Sequence, residues 1–372
     1  MKIIAHLDMD SFFASIELRV NPQYRGIGIV VGADPKDGMG RGVVSTANYQ
    51  ARKYGIHSAL PISTAWRLAE AAKKRGEPAT VFLPVNGRYY GEVSEKIFQI
   101  IRRYVPVVEQ TSIDEAYLDL SFCGDYLKAF ELIKKITKII KEREKLTAKV
   151  GIAPNKLLAK MASARGKPDS VNIIYPQDID SFLEPLSVRD IPGVGPKTEA
   201  MFNAKKIYRI ADLKKVSLAD LREWLGKWGE SIYDKARGID ESPIETEREI
   251  KSISEQETFA KDSLSATFLL EEIQRLSERV IDRMIKDEIR GYRTVVITVR
   301  FSDFTTRTRS KTLPEYRYDM KTLHREALKL FMPFLDAREN PSKKTIRLLG
   351  VGDREFILKI GWLDYYLLGF FL

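Results

Sequence analysis

Residues 2–7, KIIAHL, read as a buried strand, and GIGIVVG at 26–32 as another. Between them FFASIEL has helical spacing and stops before Asn21-Pro22, with Asp10 or Ser11 as its cap. A glycine-rich turn, DPKDGMGRG, leads into VVSTANYQARKYG, and a helix around ISTAWRLAEAAKK follows. Residues 88–105 repeat their apolar positions at helical period; VPVVEQ and IDEAYLDL then alternate as the arms of a β-hairpin. A long amphipathic helix runs from Tyr126 to Lys145, AKVGIAP at 148–154 is a short strand, and NKLLAKMASARGKP opens as a helix.

The pattern changes after residue 175. From Asp178 to Asp240 it consists of short helices, with the turn PGVGPKT between two of them. Residues 242–257 are polar with little helical period, and their first part reads as a linker. A helix (269–288), a strand (293–304), a basic strand (305–313), a second helix and a last strand (345–351) then form an α+β block. No tandem repeat or low-complexity tract interrupts this order.

A length of 372 residues allows several domains, and 44% hydrophobic with 30% charged residues is the balance of a soluble globular protein. Sixty-one basic against 51 acidic residues give a net charge of +10. Such an excess suits a polyanionic partner, nucleic acid or an anionic membrane, and is equally compatible with solubility alone. A single cysteine, Cys123, excludes an intrachain disulfide and a cysteine-based zinc site. The histidines, His6, His57 and His324, are too dispersed for a zinc cluster, so a metal here would be a hard ion held by carboxylates. MKIIAHLDMDSFF lacks a signal-peptide layout, and WLDYYLLGFFL is too short to cross a bilayer and contains Asp364. The expectation is a cytoplasmic protein with no membrane contact; heavy use of Lys, Arg and Glu points towards a thermophile.

Two strands carry acids at an end. Asp8 and Asp10 leave the first, and Asp114 and Glu115 begin an arm of the hairpin. Adjacent residues on a regular strand face opposite ways, so Asp114 and Glu115 share a site only where the backbone is irregular, as at a hairpin turn. If the two strands are neighbours, three carboxylates meet at one edge, which suits Mg²⁺. Two ions about 4 Å apart can activate a hydroxyl and stabilise an in-line leaving group. The plainer reading has Asp10 capping the helix and Glu115 facing solvent.

Tyr49 and Arg52 lie three apart in ANYQARK, on one face of a helix, where Arg52 could grip a phosphate and Tyr49 donate its hydroxyl. Lys167 is a further cation beside a proline turn. In PGVGPKT, Gly193 and Gly195 let amides approach a phosphate at a helix start, beside Lys197; a plain helix–turn–helix corner would look alike. TTRTRSKTL sets Arg307, Arg309 and Lys311 at period two, a stripe suited to a phosphate backbone or to guarding an edge strand.

HLDMDSFFASIE, STANYQARKYGI, TSIDEAYLD, GIAPNKLLAKMASARGKP and IPGVGPKT, in that order, resemble the Y-family DNA polymerases, the lesion-bypass class, in their archaeal DNA polymerase IV-like branch. The resemblance implies an α+β right hand: a ferredoxin-like palm (1–11 and 86–175), small fingers (12–85), a helical thumb with a helix–hairpin–helix (176–241), a linker (242–250), an α+β little finger (251–351) and a tail (352–372). It implies template-directed, low-fidelity synthesis from dNTPs on primer-template DNA, past damaged bases, by a monomer with two Mg²⁺ ions for which Mn²⁺ can substitute. Asp8, Asp114, Glu115 and the main-chain oxygen of Met9 are the implied metal ligands, with Asp10 a structural cap. Phe13 matches the steric gate against a ribose 2′-hydroxyl, Phe12 lies beside the triphosphate, and Tyr49, Arg52 and Lys167 grip it. Gly193, Gly195, Lys197, Arg307, Arg309 and Lys311 are the implied DNA contacts. Ser45 and Ala47 suit a roomy site.

The end of the chain departs from the family pattern. KIGWLDYY places Trp362, Tyr365 and Tyr366 at the spacing of a sliding-clamp motif, with Lys359 where glutamine belongs. A non-catalytic DNA-binding protein on the same scaffold is the rival reading, and the intact acid trio argues against it. A palm-like nucleotidyl cyclase would share the acids but needs neither the hairpin thumb nor a basic C-terminal domain.

Overall fold

The computed structural model describes residues 1–247 and 249–357, and the chain divides into two units, 1–247 and 248–372. In the first, β1 (Ile4–Met9) is followed by α1 (Phe12–Val20), β2 (Ile29–Gly32), β3 (Val44–Ala47), α2 (Tyr49–Lys53), α3 (Ile62–Lys74) and β4 (Val81–Leu83). Then come α4 (Gly87–Arg102), β5 (Val108–Gln110), β6 (Glu115–Asp119), α5 (Tyr126–Glu144), β7 (Ala148–Ala153), α6 (Lys156–Arg165) and β8 (Val171–Ile173). Five short helices close the unit: α7 (Ile179–Leu183), α8 (Pro196–Ala204), α9 (Ile210–Lys214), α10 (Leu218–Leu225) and α11 (Lys227–Ala236).

Two sheets result, β5-β6-β1-β7-β8 and the smaller β3-β2-β4. Alternation along β1 sends Ala5, Leu7 and Met9 into a core with α4 and α5. Ile4, His6 and Asp8 point to the opposite face, where Ile4 joins α6 and the five short helices in a second core. The antiparallel registers make three rows on that face: Ile4 with Asp119 and Ala153, His6 with Tyr117 and Gly151, Asp8 with Glu115 and Lys149. Gly151 brings α6 close, since a Cβ there would collide with the Ala159 carbonyl oxygen and the Ser163 amide nitrogen. The turn at Gly193 follows a single 3₁₀ turn, Val188–Asp190, rather than a full helix, and leads into α8.

In the second unit the order is β9 (Ser252–Ser263), α12 (Ala266–Lys286), β10 (Gly291–Phe301), β11 (Thr306–Arg317), α13 (Met320–Phe331) and β12 (Ile346–Ile357). The sheet, β11-β10-β12-β9, is antiparallel throughout, with both helices packed on one face. β9 was not legible as a strand, because its polar residues fall on both faces and only Ile253 and Phe259 are in the core. β12 runs past the expected end at 351, because β9 and β10 continue its ladder out to Arg354 and Ile357. Trp362, Tyr365 and Tyr366 lie outside the described residues. Among the described residues no helix is long and apolar enough to cross a membrane.

Candidate active site

The third row of the sheet is charged. Asp8 stands between Glu115 on β6 and Lys149 on β7, and the Lys149 Nζ lies 3.0 Å from Asp8 Oδ2. Glu115 turns towards α6, where the Lys160 Nζ donates to its Oε2 at 2.7 Å. The buried His6 donates from Nδ1 to Ser163 Oγ (2.7 Å), because that hydroxyl spends its own proton on the Lys160 carbonyl. His6 Nε2 then faces the Lys160 ammonium at 3.4 Å. The Lys160 ammonium holds the Glu115 carboxyl below its usual range, while burial pushes the imidazole below its own. A neutral His6 leaves Lys160 as the cation that matters to Glu115. The sequence reading gives Lys149, Lys160 and His6 no place in the site: only the strand register and the seat of α6 reveal one.

Asp114 sits in the irregular turn that the sequence required. Ser112 Oγ accepts from the amides of Asp114 and Glu115 and donates to Asp114 Oδ1 at 2.6 Å. The Met9 amide donates to the Asp114 carbonyl at 3.1 Å, joining the turn to the end of β1. Asp8, Met9 and Asp114 thereby line one cavity of about 160 Å³ with Ser11, Phe12, Ser45, Thr46, Tyr49 and Arg52. Burial raises the Asp114 carboxyl above its usual range, and the charges of Asp8 and Glu115 add to this. Ala47, expected beside Ser45 in a roomy site, is fully buried and does not line this cavity, whereas Ser45 and Thr46 do.

Asp10 does not cap α1. Ser11 holds the cap position with a left-handed backbone, φ 44°, and no side-chain cap bond. The buried Asp10 carboxylate instead accepts from Tyr49 Oη (2.7 Å), Thr147 Oγ1 (2.7 Å) and the Asp169 amide (2.9 Å). It ties α2, the start of β7 and the loop that carries the exposed Lys167 to the end of β1. The Tyr49 hydroxyl thus spends its single proton on Asp10, and a phosphate contact requires it to let go. Burial and that bond raise the Tyr49 phenol. Arg52 lies with its Cζ 5.1 Å from the Tyr49 ring centroid and donates from Nε to the Ala47 carbonyl at 2.9 Å. Asn48 caps α2 and also accepts from the Ile29 amide, which fixes the helix on β2.

Phe12 is buried and forms part of the cavity wall. Phe13 is half-buried and stacks on Tyr90 of α4, a contact with no sequence signal.

Among the described residues no three acidic or histidine side chains stand close enough to hold a metal as they are. The donors are nevertheless carboxylate and carbonyl oxygens, the kind a hard divalent ion takes, and two ammonium groups already balance their charge.

Gly193 has φ 100° and is exposed, Gly195 precedes Pro196 at the start of α8, and Lys197 is exposed in its first turn. Arg307, Arg309 and Lys311 share one face of β11, and that face is the helix-bearing one. Each is already paired: Arg307 and Arg309 with Glu339, Lys311 with the buried Glu326 at 2.7 Å. Lys311 and Lys329 hold the Glu326 carboxyl down to about 2. By register, the opposite face of this sheet carries Ser252, Ser254, Gln256 and Thr258 on β9. It also carries Thr294, Val296, Thr298 and Arg300 on β10, Thr306, Thr308, Ser310 and Thr312 on β11, and Leu348, Gly350, Gly352 and Arg354 on β12. None of these is an acid; Asp262, farther along β9, alternates onto the same face and is ion-paired with Arg347.

Three stretches match family profiles: residues 7–164 the impB/mucB/samB family, 250–357 its C-terminal domain, and 189–240 the thumb domain of DNA polymerase-iota. A Y-family chimera of the Dbh and Dpo4 polymerases has a similar fold, with TM-score 0.83 and 27% identity over 96% of this chain and 100% of that one. A DNA polymerase IV of Methanoculleus marisnigri is 40% identical over 350 residues, 94% of this chain and 93% of that protein. The chain belongs to the Y family of DNA polymerases. DNA polymerase IV 2 of Methanosarcina mazei is also 40% identical, over 94% of this chain and 91% of that one. DinB from Sulfolobus solfataricus is similar at TM-score 0.60 and 25% identity, over 96% of this chain and 100% of that one. The chain is a DNA-directed DNA polymerase of the translesion class, with a thumb and a C-terminal little finger. Polymerases of this family depend on divalent metal ions.

Proposed function

We propose that the cavity lined by Asp8, Asp114, Tyr49 and Arg52 is the nucleotidyl-transfer site. The observation that carries this is the joining of two carboxylates to a phosphate-type cation and a small-residue wall in one cavity. Asp8, Asp114 and Glu115, with the main-chain oxygen of Met9, would hold two Mg²⁺ ions, and Mn²⁺ would substitute. When bound, such ions lower the pKa of the primer 3′-hydroxyl and neutralise the departing pyrophosphate.

The chain's own residues do the rest. The 3′-oxygen bonds to the α-phosphorus of the dNTP, the bond to pyrophosphate breaks, and no covalent enzyme intermediate forms. Arg52, held by Ala47 and the Tyr49 ring, presents its remaining N–H groups to the triphosphate, aided by Lys167. Phe13, held by Tyr90, rejects a 2′-hydroxyl by clash. Ser45 and Thr46 leave space at the base pair, which weakens selection against mispairs and damaged bases.

Residues 1–11 and 86–175 act as the palm, 12–85 as the fingers, 176–241 as the thumb and 251–351 as the little finger in this reading. Primer-template DNA lies against the Gly193–Lys197 turn and the little finger, and a Dbh polymerase solved as an insertion ternary complex supports such a substrate. The sheet face opposite the helices is the more favourable little-finger surface for phosphates, since the Arg307 stripe is already neutralised. A monomer in the cytoplasm, with a sliding clamp met through Trp362, Tyr365 and Tyr366, completes the reading on sequence grounds.

Primer extension with dNTPs and Mg²⁺ tests the site. Asp114→Asn with Glu115→Gln should abolish template-directed extension while primed-DNA binding persists. Extension at the wild-type rate in that variant would remove the acids from the chemistry.

A further inference from the structure

Among the described residues, Lys149 is the one ammonium in the cavity that holds Asp8 and Asp114. Its placement follows from the sheet: β7 runs antiparallel to β1 with Lys149 directly opposite Asp8, so both side chains leave the same face. The ion pair is largely shielded, with Lys149 15% and Asp8 22% exposed. A pair this buried is screened far less than one at the surface.

We propose that Lys149 is a resident counter-ion of the metal site, competing with the divalent cation for Asp8. The proposal rests on the reading of Asp8, Asp114 and Glu115 as metal ligands. An ammonium and a dication seek the same carboxylate oxygens. Lys149 balances the Asp8 charge while the site is empty and must swing away on its flexible stem for the ion to enter. Its charge then remains nearby and repels the incoming cation. Lys149 therefore raises the ion concentration at which the site loads. In exchange it limits the repulsion among Asp8, Asp114 and Glu115 in the unloaded protein.

Mn²⁺ titration of the metal-free full chain, read from the electron paramagnetic resonance signal of free Mn²⁺, tests this without any turnover. Lys149→Met should bind Mn²⁺ about fivefold to tenfold more tightly than wild type. Lys149→Arg, which keeps the charge, should stay near wild type. Lys149→Thr, short and at ease in a strand, replaces the methionine variant if that one fails to fold. Unchanged or weaker binding in the uncharged variants overturns the proposal. A rise in KM for dNTP with unchanged Mn²⁺ affinity would also overturn it, by making Lys149 a phosphate grip. Asp8→Asn should lose the Mn²⁺ site. If it binds Mn²⁺ like wild type, the metal-ligand reading fails and the counter-ion role with it. If it loses the site while Lys149→Met is unchanged, only the counter-ion role fails.

Discussion

Phe13 stacks on Tyr90 with ring centroids 4.4 Å apart and planes 20° apart. Tyr90 is fully buried and donates its hydroxyl to Glu17 Oε1 at 2.6 Å, so α4 holds in place a ring that α1 presents. Tyr90→Leu removes the stacking partner, a contact worth about 1 kcal/mol beyond its area. Discrimination between rNTP and dNTP, read as the ratio of kcat/KM values, should drop about fivefold. Tyr90→Phe keeps the ring and should keep the ratio. Equal discrimination in all three proteins would mean that Tyr90 does not hold the gate proposed at Phe13.

Asp10 and Tyr49 should be energetically coupled. Their bond is one of three on a buried carboxylate, and an asparagine there turns an amide towards at least one donor. Asp10→Asn should cost about 1–3 kcal/mol of unfolding free energy and Tyr49→Phe about 1. In a double-mutant cycle by chemical denaturation, the coupling should be about 1 kcal/mol. A coupling near zero would leave Asp10 as a bystander to α2.

Much of this was legible beforehand, for reasons that differ by residue. Asp8, Asp114 and Glu115 stood out because acids are costly at the ends of apolar strands, and β1 and β6 are indeed neighbours. Long helices such as α5 and α12 announced themselves by their 3.6-residue period. Asp10 looked like a helix cap because aspartate before a helix usually is one; its partners, Thr147 and Asp169, are remote in the chain. Lys149, Lys160 and Tyr90 were hidden because register and helix seating set their roles, and neither leaves a local pattern. The stripe Arg307, Arg309 and Lys311 was visible, but the acids that neutralise it come from α13 and from Glu339 beyond it.

Asp353 should give the second unit an unusual pH dependence. Its carboxylate is fully buried in β12 with no hydrogen-bond partner among the described residues, and burial pushes it up to about 7. The folded state keeps a proton that the unfolded chain releases above about pH 4. Stability should therefore fall as pH rises from about 4 to 7 and level off above that, by at most about 4 kcal/mol. Asp353→Asn should flatten that slope and raise Tm at pH 8 relative to wild type. A Tm that falls in the variant at pH 8 would show that the charge is compensated.

Releasing the stripe on β11 should change DNA binding. Glu339 holds both Arg307 and Arg309. Glu339→Gln should tighten binding to primed DNA and steepen the slope of log Kd against log salt by about 1. An unchanged slope would keep this face away from phosphates.

Gly151 reaches beyond its own strand. The same helix that it admits against the sheet, α6, contributes Leu157, Leu158, Met161 and Ala162 to the core shared with α7–α11. The hairpin at Gly193 therefore stands at a height above the acids gauged by an atom that is missing. A methyl group at position 151 would work as a shim, lifting the helix, withdrawing Lys160 from Glu115 and tilting everything mounted on α6.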